Sequence, residues 1–325
     1  MTAAALDDAP HAKIPPRALI AVVIGNWLEF YDYIVYSFFA VQIGKAFFPG
    51  DDVLMSLFFA GLVFWAGFFT RPLGAAVIGA YSDRAGRRAA LSLTIILMAI
   101  GTGMIALTPG YAEIGIWAPI LLISARLIQG FSCGGEVGPA TTYLLEAASP
   151  KERAAYTAWQ GISQQFAGIM GSGLGLILAA NLSTADLNDW GWRIPFFIGI
   201  LIGPIGLYIR RALPETLDKH EAHESGWAVL KTLFRHHSPA IILGVMCIIG
   251  PTVSTYVSAY MTSYAITTLK LSNETGQFTT LCGYIAALAG FPIGAWFADR
   301  IGAKVSILVP RVLFLAIVYQ AYVMM

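Results

Sequence analysis

The sequence predicts an all-α membrane protein made of helical bundles, with nine crossings. Three observations carry that prediction. Of 325 residues, 57% are apolar and 12% charged, unlike the balance of a water-soluble domain. Nearly uncharged runs of about 20 residues recur, long enough to cross a hydrocarbon layer about 30 Å thick. A charged turn between such runs occurs twice, as Gly79-Ala80-Tyr81-Ser82-Asp83-Arg84-Ala85-Gly86-Arg87-Arg88 and as Ala298-Asp299-Arg300-Ile301-Gly302-Ala303-Lys304. Asp83 and Asp299 lie 216 residues apart. Repetition at that distance predicts two similar halves, an organisation suited to a carrier that rocks one half against the other.

The expected spans are 18–48, 54–81, 89–108, 116–145, 154–181, 193–210, 238–266, 276–298 and 304–325. The first, second, fourth and seventh exceed a perpendicular crossing, which permits tilt. Before them stands a polar tail, 1–17, without the cleavage pattern of a secretory signal, so the first span is expected to stay in the mature chain. Residues 18–212 then form a six-helix bundle and 213–237 a linker. Within the linker, Trp227 to Phe234 suits a short surface helix. Residues 238–325 form a second, three-helix bundle. In the connecting segments, 14 Lys and Arg fall on one side and 3 on the other. That asymmetry puts the N-terminus in the cytosol.

The first span carries Asn26, Glu29, Tyr33 and Tyr36 on one helical face, with Asp32 beside it. Carboxylates inside an apolar helix are costly and face a cavity or a partner. Glu29 and Asp32 are therefore candidates for a protonatable site, a substrate contact, or a structural pair with an arginine. The second span contains Arg71-Pro72 and the ninth Pro310-Arg311. Both suit bent helices whose arginines snorkel to the surface.

In the fourth span, Arg126, Gln129, Cys133 and Glu136 share a narrow arc, while Gly130, Gly134 and Gly138 form a ridge without side chains that admits a close neighbour. Arg126 suits a carboxylate, which it can hold with two parallel hydrogen bonds. A standing pair with Glu29, Asp32 or Glu136 is the alternative, and a carrier could use both in turn. The fifth span offers Gln160, Ser163 and Gln164 on one face, for a polar solute or for helix–helix bonds. Gly168, Gly171 and Gly175 add a second packing strip. The seventh span is rich in hydroxyls, from Thr252 to Tyr260, and suits a cavity wall.

A net charge of +1 argues against a nucleic-acid partner. Cys133, Cys247 and Cys282 lie in apolar runs without metal-ligand spacing and read as small fillers. The five histidines sit in polar tails or linkers. No metal, cofactor or enzymatic activity is expected.

The residues also resemble a known family. The turn from Gly79 to Arg88, Arg126-Leu127-Ile128-Gln129-Gly130 and Pro214-Glu215-Thr216 resemble three signatures of the major facilitator superfamily. Three further stretches, Gly25 to Asp32, Gln129 to Glu136 and Trp190 to Phe196, resemble its metabolite:proton symporter family. That family moves citrate, dicarboxylates, 2-oxoglutarate, shikimate, or proline and betaine. Tyr156-Thr157-Ala158-Trp159-Gln160 with Ser163-Gln164-Gln165 leans toward its citrate/tricarballylate branch.

The resemblance implies a proton-coupled symporter of small organic acids in a bacterial cytoplasmic membrane. Arg126, Gln129, Gln160, Gln164 and Tyr33 would meet substrate. Glu29, Asp32 and Glu136 are the candidates for the proton. Asp83, Arg84, Gly86, Arg87, Arg88, Asp299 and Arg300 would hold a cytosolic gate. Ala303 departs from the pattern where a basic residue often stands, which predicts a weaker second gate. The family has twelve spans, so by repeat logic three would be missing after Met325. A truncated inactive remnant and a membrane sensor are the rival readings.

Overall fold

The computed structural model describes residues 16–50, 52–135, 141, 144–145, 148–149, 151–211, 235 and 238–324. The tail 1–15, the linker apart from Arg235, Glu136 and Gly138 lie outside them. Twelve α-helices are traced among the described residues, with no strand. They are α1 Pro16–Phe38, α2 Ala40–Phe47, α3 Val53–Ala85, α4 Arg87–Leu107, α5 Tyr111–Ile114 and α6 Trp117–Gly134. They continue with α7 Arg153–Asn181, α8 Thr184–Asp189, α9 Ile194–Arg211, α10 Ser238–Thr267, α11 Asn273–Ile301 and α12 Ala303–Met324.

Among the described residues, seven helices are long and apolar enough to cross a membrane. Helices α1 and α6 fill the places of the other two expected spans, and these two carry Glu29, Asp32 and Arg126. The expected first span is two helices. Phe39 leaves helical dihedrals between α1 and α2, yet its N–H still donates to Val35 O at 3.1 Å and its carbonyl accepts from Ile43. The chain bends there without losing backbone bonds. The fourth span does not run unbroken to 145, because the pair Gly134-Gly135 ends α6.

The charged segment 79–88 is much less of a loop than its polarity predicts. Helix α3 runs through Ala85 and α4 begins at Arg87, with Gly86 alone between them at φ 98° and ψ 151°. Gly302 separates α11 from α12 at φ 90° and ψ 148°. Side chains other than glycine rarely adopt that conformation. The two copies of the turn therefore share a backbone geometry as well as a sequence.

Helices α1, α3, α4, α6, α7 and α9 pack on one another, with α10 and α11 set against α1 and α7. Two glycine seams draw helices together. In the first, Gly130 and Gly134 of α6 face the carbonyls of Gly67 and Arg71 of α3, so close that a Cβ would strike them. Gly74 of α3 meets Phe131 in return. The ridge read from the sequence does face a close neighbour.

The second seam joins α7 to α11 in an antiparallel seven-residue register. Gly161 faces Phe291, Gly168 faces Tyr284 and Gly175 faces Gln277. Gly171, expected in that strip, turns instead toward Val35 and Phe38 of α1. A seven-residue step returns to within about 20° of the same direction at 3.6 residues per turn, whereas the three-residue step from Gly168 to Gly171 lands about 60° to one side, toward α1.

Candidate functional site

The polar residues of α1 are buried, each in a different direction. Asn26, Glu29, Asp32, Tyr33 and Tyr36 are all under 5% exposed. Asn26 donates to Ser163 Oγ at 2.6 Å and to the Gln160 carbonyl at 3.0 Å, tying α1 to α7. The Gln160 side chain accepts from Thr141 at 3.0 Å. Gln160 thus serves contacts between helices, and Gln164 is half-buried outside this network.

Asp32 is the centre of the cluster. Its Oδ1 accepts from the Thr102 hydroxyl of α4 at 2.7 Å. Its Oδ2 accepts from Gln129 Nε2 at 2.5 Å and from Arg126 Nη1 at 3.4 Å. Arg126 Nη1 also donates to Gln129 Oε1 at 2.7 Å. The pair Asp32–Arg126 is the one ion pair found among the described residues.

Arg126 is fully buried, and its guanidinium carbon lies 3.7 Å from the centre of the Tyr36 ring. A desolvated cation over such a ring gains about 2 kcal/mol. Its Nε and Nη2, the side-on fork of the guanidinium, have no hydrogen-bond partner among the described residues. Each buried donor left unmade costs about 1–3 kcal/mol. That fork has the spacing of a carboxylate's two oxygens.

Glu29, one turn from Asp32, accepts from the Cys133 thiol. Cys133 is therefore more than the filler its apolar surroundings suggested. Tyr33 stands between two guanidinium groups, with Arg126 5.5 Å and Arg71 4.8 Å from its ring. Arg71 does not snorkel outward. It lies over Phe68 at 4.1 Å and beside Tyr256 of α10. Thr102 went unselected because a threonine looks ordinary in an apolar run, while the sequence places Tyr36 on the polar face without a role and Arg71 at the surface. Asp32, Arg126 and Gln129 stood out because burying them is expensive.

On the far side of Tyr36 lies a cleft of about 340 Å³ between α1, α3 and α10. Phe64, Trp65 and Tyr256 form its aromatic wall, with Thr252, Tyr260 and Ser263 adding hydroxyls. Its residues occupy the C-terminal part of α1 and the N-terminal part of α3, so it runs toward the end of the bundle opposite the charged turns. Tyr36 donates to the Ala60 carbonyl at 3.0 Å; it lines this cleft and carries the Arg126 guanidinium on its ring, whereas Arg126 itself is not among the lining residues.

At the charged-turn end, Asp299 accepts from the N–H groups of Ala154 at 3.0 Å and Ala155 at 3.1 Å. A carboxylate across a helix N-terminus satisfies orphan donors and complements the helix dipole. This contact fastens α11 to α7 despite Ala303. Arg84 is exposed, and Arg300 stacks 4.3 Å from the Trp296 ring. The side chains of Asp83, Arg87 and Arg88, like Glu136, lie outside the described residues. The Trp190–Phe196 stretch is an anchor at the opposite end. Arg193 donates to the carbonyls of Ala106 and Thr108 at the end of α4, and Trp192 is buried against Phe47 and Phe196.

Residues 22–325 match the family model described as Major Facilitator Superfamily. The chain is 38% identical over 311 residues to the citrate-proton symporter of Klebsiella pneumoniae, covering 95% of this chain and 70% of that protein. It is 33% identical over 321 residues to the proline/betaine transporter of Escherichia coli (strain K12), covering 95% and 64%. Its fold is similar to a partially occluded inward open structure of the xylose transporter XylE from E. coli. The TM-score is 0.70 at 19% identity, with 89% of this chain and 74% of that one covered. At that identity the likeness is one of fold alone.

Proposed function

The chain belongs to the major facilitator superfamily, and from that premise we propose that it is a proton-coupled symporter of small organic acids such as citrate. It would lie in a bacterial cytoplasmic membrane with its N-terminus in the cytosol, as the Lys and Arg asymmetry favours. The proposed units are a six-helix bundle at 18–212, a linker at 213–237 and a second bundle at 238–325.

The observation that carries this reading is the idle fork of Arg126. Asp32 holds the guanidinium through one N–H at 3.4 Å, while Nε and Nη2 have no hydrogen-bond partner among the described residues. Protonating Asp32 removes the charge that holds Arg126 in place. The arginine then moves past Tyr36 toward the cleft and takes a substrate carboxylate with two parallel bonds. Releasing the proton restores the ion pair and expels the carboxylate. Gradient energy thus acts through the choice of partner for one arginine. Glu29 is the second proton candidate, held by Cys133, and Glu136 remains a third. Asp299 is the proposed clamp of the cytosolic end.

Uptake of labelled citrate into proteoliposomes under an imposed pH gradient tests the reading. Arg126→Ala is expected to abolish it, and unchanged uptake would remove Arg126 from the substrate site. Binding without uptake in the unaltered protein would favour a sensor.

One observation favours a second substrate class. The cleft wall of Phe64, Trp65 and Tyr256 suits a quaternary ammonium, which aromatic faces attract. A zwitterion such as betaine would place its carboxylate on Arg126 and its ammonium on this wall. Competition of betaine against citrate uptake separates the two classes.

A further inference from the structure

A second, much smaller cavity lies within the first bundle, on the other side of Asp32. Its volume is about 30 Å³, above the roughly 10–15 Å³ that a single water needs. Helices α1, α4 and α9 enclose it, and its polar wall is Asp32, Glu29, Thr94 and Thr102. It shares no residue with the aromatic cleft.

The lining residues order it along the bundle. Asp32, Thr102 and Gly199 mark its deep end, while Gly25, Thr94 and Gly203 mark the other. From Asp32 to Gly25 α1 recedes about 10 Å toward its N-terminus, at about 1.5 Å per residue. Helix α4 recedes toward its own N-terminus over the same interval, and α9 advances toward its C-terminus. All three directions point to the charged-turn end. The aromatic cleft runs from Tyr36 to the opposite end.

Resting on the symport reading, we propose that protons leave Asp32 and Glu29 through this pocket, toward the charged-turn end, by a route separate from the substrate's cleft. The size difference makes the separation chemical. A file of water conducts a proton, and a space of 30 Å³ excludes any carboxylate substrate. Helices α4 and α9 contribute no titratable group to the pocket. The groups that titrate or carry charge around it are Asp32, Glu29 and Tyr31 of α1, with Arg126 and Cys133 of α6 facing them. Thr94 and Thr102 supply hydroxyls on the remaining wall. Gly199 and Gly203 keep the space open. A Cβ at Gly199 would lie 3.3 Å from Thr102 Cγ2, and one at Gly203 would lie 3.2 Å from Ala99 Cβ. Each contact is tight but borne by a side chain.

The test fills the pocket with Gly199→Ala and, independently, Gly203→Val. The primary readout is the infrared carboxyl band of reconstituted protein moved into deuterated buffer, assigned with Asp32→Asn and Glu29→Gln. Either variant that folds is expected to slow the deuterium shift of that band by at least about tenfold, since exchange of a buried group is set by its access to water. Gradient-driven citrate uptake should fall in the same variants, while citrate counterflow at equal pH, which needs no net proton movement, should persist. Exchange as fast as in the unaltered protein, in a folded variant, overturns the route. The exchange readout needs no substrate. Slowed exchange in a protein that transports neither citrate nor betaine would therefore sink the symport reading and leave the route standing.

Discussion

Arg126 answers to two demands at once, and its surroundings show how. It is fully buried and held by a single long bond to Asp32, while stacking on Tyr36 shields its charge. Removing one partner of a buried ion pair strands the other, which costs about 3–5 kcal/mol. Arg126→Ala should therefore destabilise the protein by that amount in thermal unfolding, and Asp32→Asn added to it should recover most of the loss. Uptake should stay abolished in the double variant, because the carboxylate fork is gone. Arg126→Lys keeps the charge and loses the fork. It should retain folding with at least about a tenfold weaker apparent affinity, read from the concentration dependence of uptake. Much of this cluster was legible in the sequence, because a carboxylate, an arginine and a glutamine in apolar helices are costly. Thr102 and Cys133 were not legible, since neither is costly alone and only the packing of α4 and α6 against α1 gives them partners.

Helix packing here depends on where side chains are missing. Gly168 leaves room for the Tyr284 ring, and Gly161 and Gly175 repeat that arrangement one heptad away on either side. Overpacking a seam costs about 1–3 kcal/mol. Gly168→Leu should lower stability by that amount, and Tyr284→Ala should relieve it. A double-mutant cycle is expected to show a coupling of about 1 kcal/mol or more, as contacting residues do. Additive losses would mean the two positions do not meet. At the end of the same seam, Asp299→Ala should cost about 1 kcal/mol, the worth of a helix-capping carboxylate. It should also raise the reactivity of a cysteine placed at Ala158 toward a water-soluble thiol reagent. The glycine strip in α7 was visible in the sequence, but its register was not. Gly161 joined and Gly171 left because the partner's large residues recur every seven positions, which only the pairing with α11 reveals.

At the scale of the whole molecule, two copies of one turn set the frame. Gly86 and Gly302 share an unusual backbone conformation, so the repeat is one of shape. That much follows from a charged stretch recurring in an apolar chain. The sequence overstated the break itself, since polarity suggested a loop where helices continue up to a single glycine. The substrate class stayed open because cleft walls come from α1, α3 and α10 together, and no single span carries the pattern. The central claim is that a proton on Asp32 decides whether Arg126 holds Asp32 or the substrate. Citrate accumulation in proteoliposomes, with a pH-sensitive dye inside, measures it most directly in the unaltered protein and in Asp32→Asn. The account predicts accumulation with proton entry under an inward proton gradient, abolished by a protonophore and absent in Asp32→Asn. Gradient-driven accumulation that survives in Asp32→Asn would contradict it.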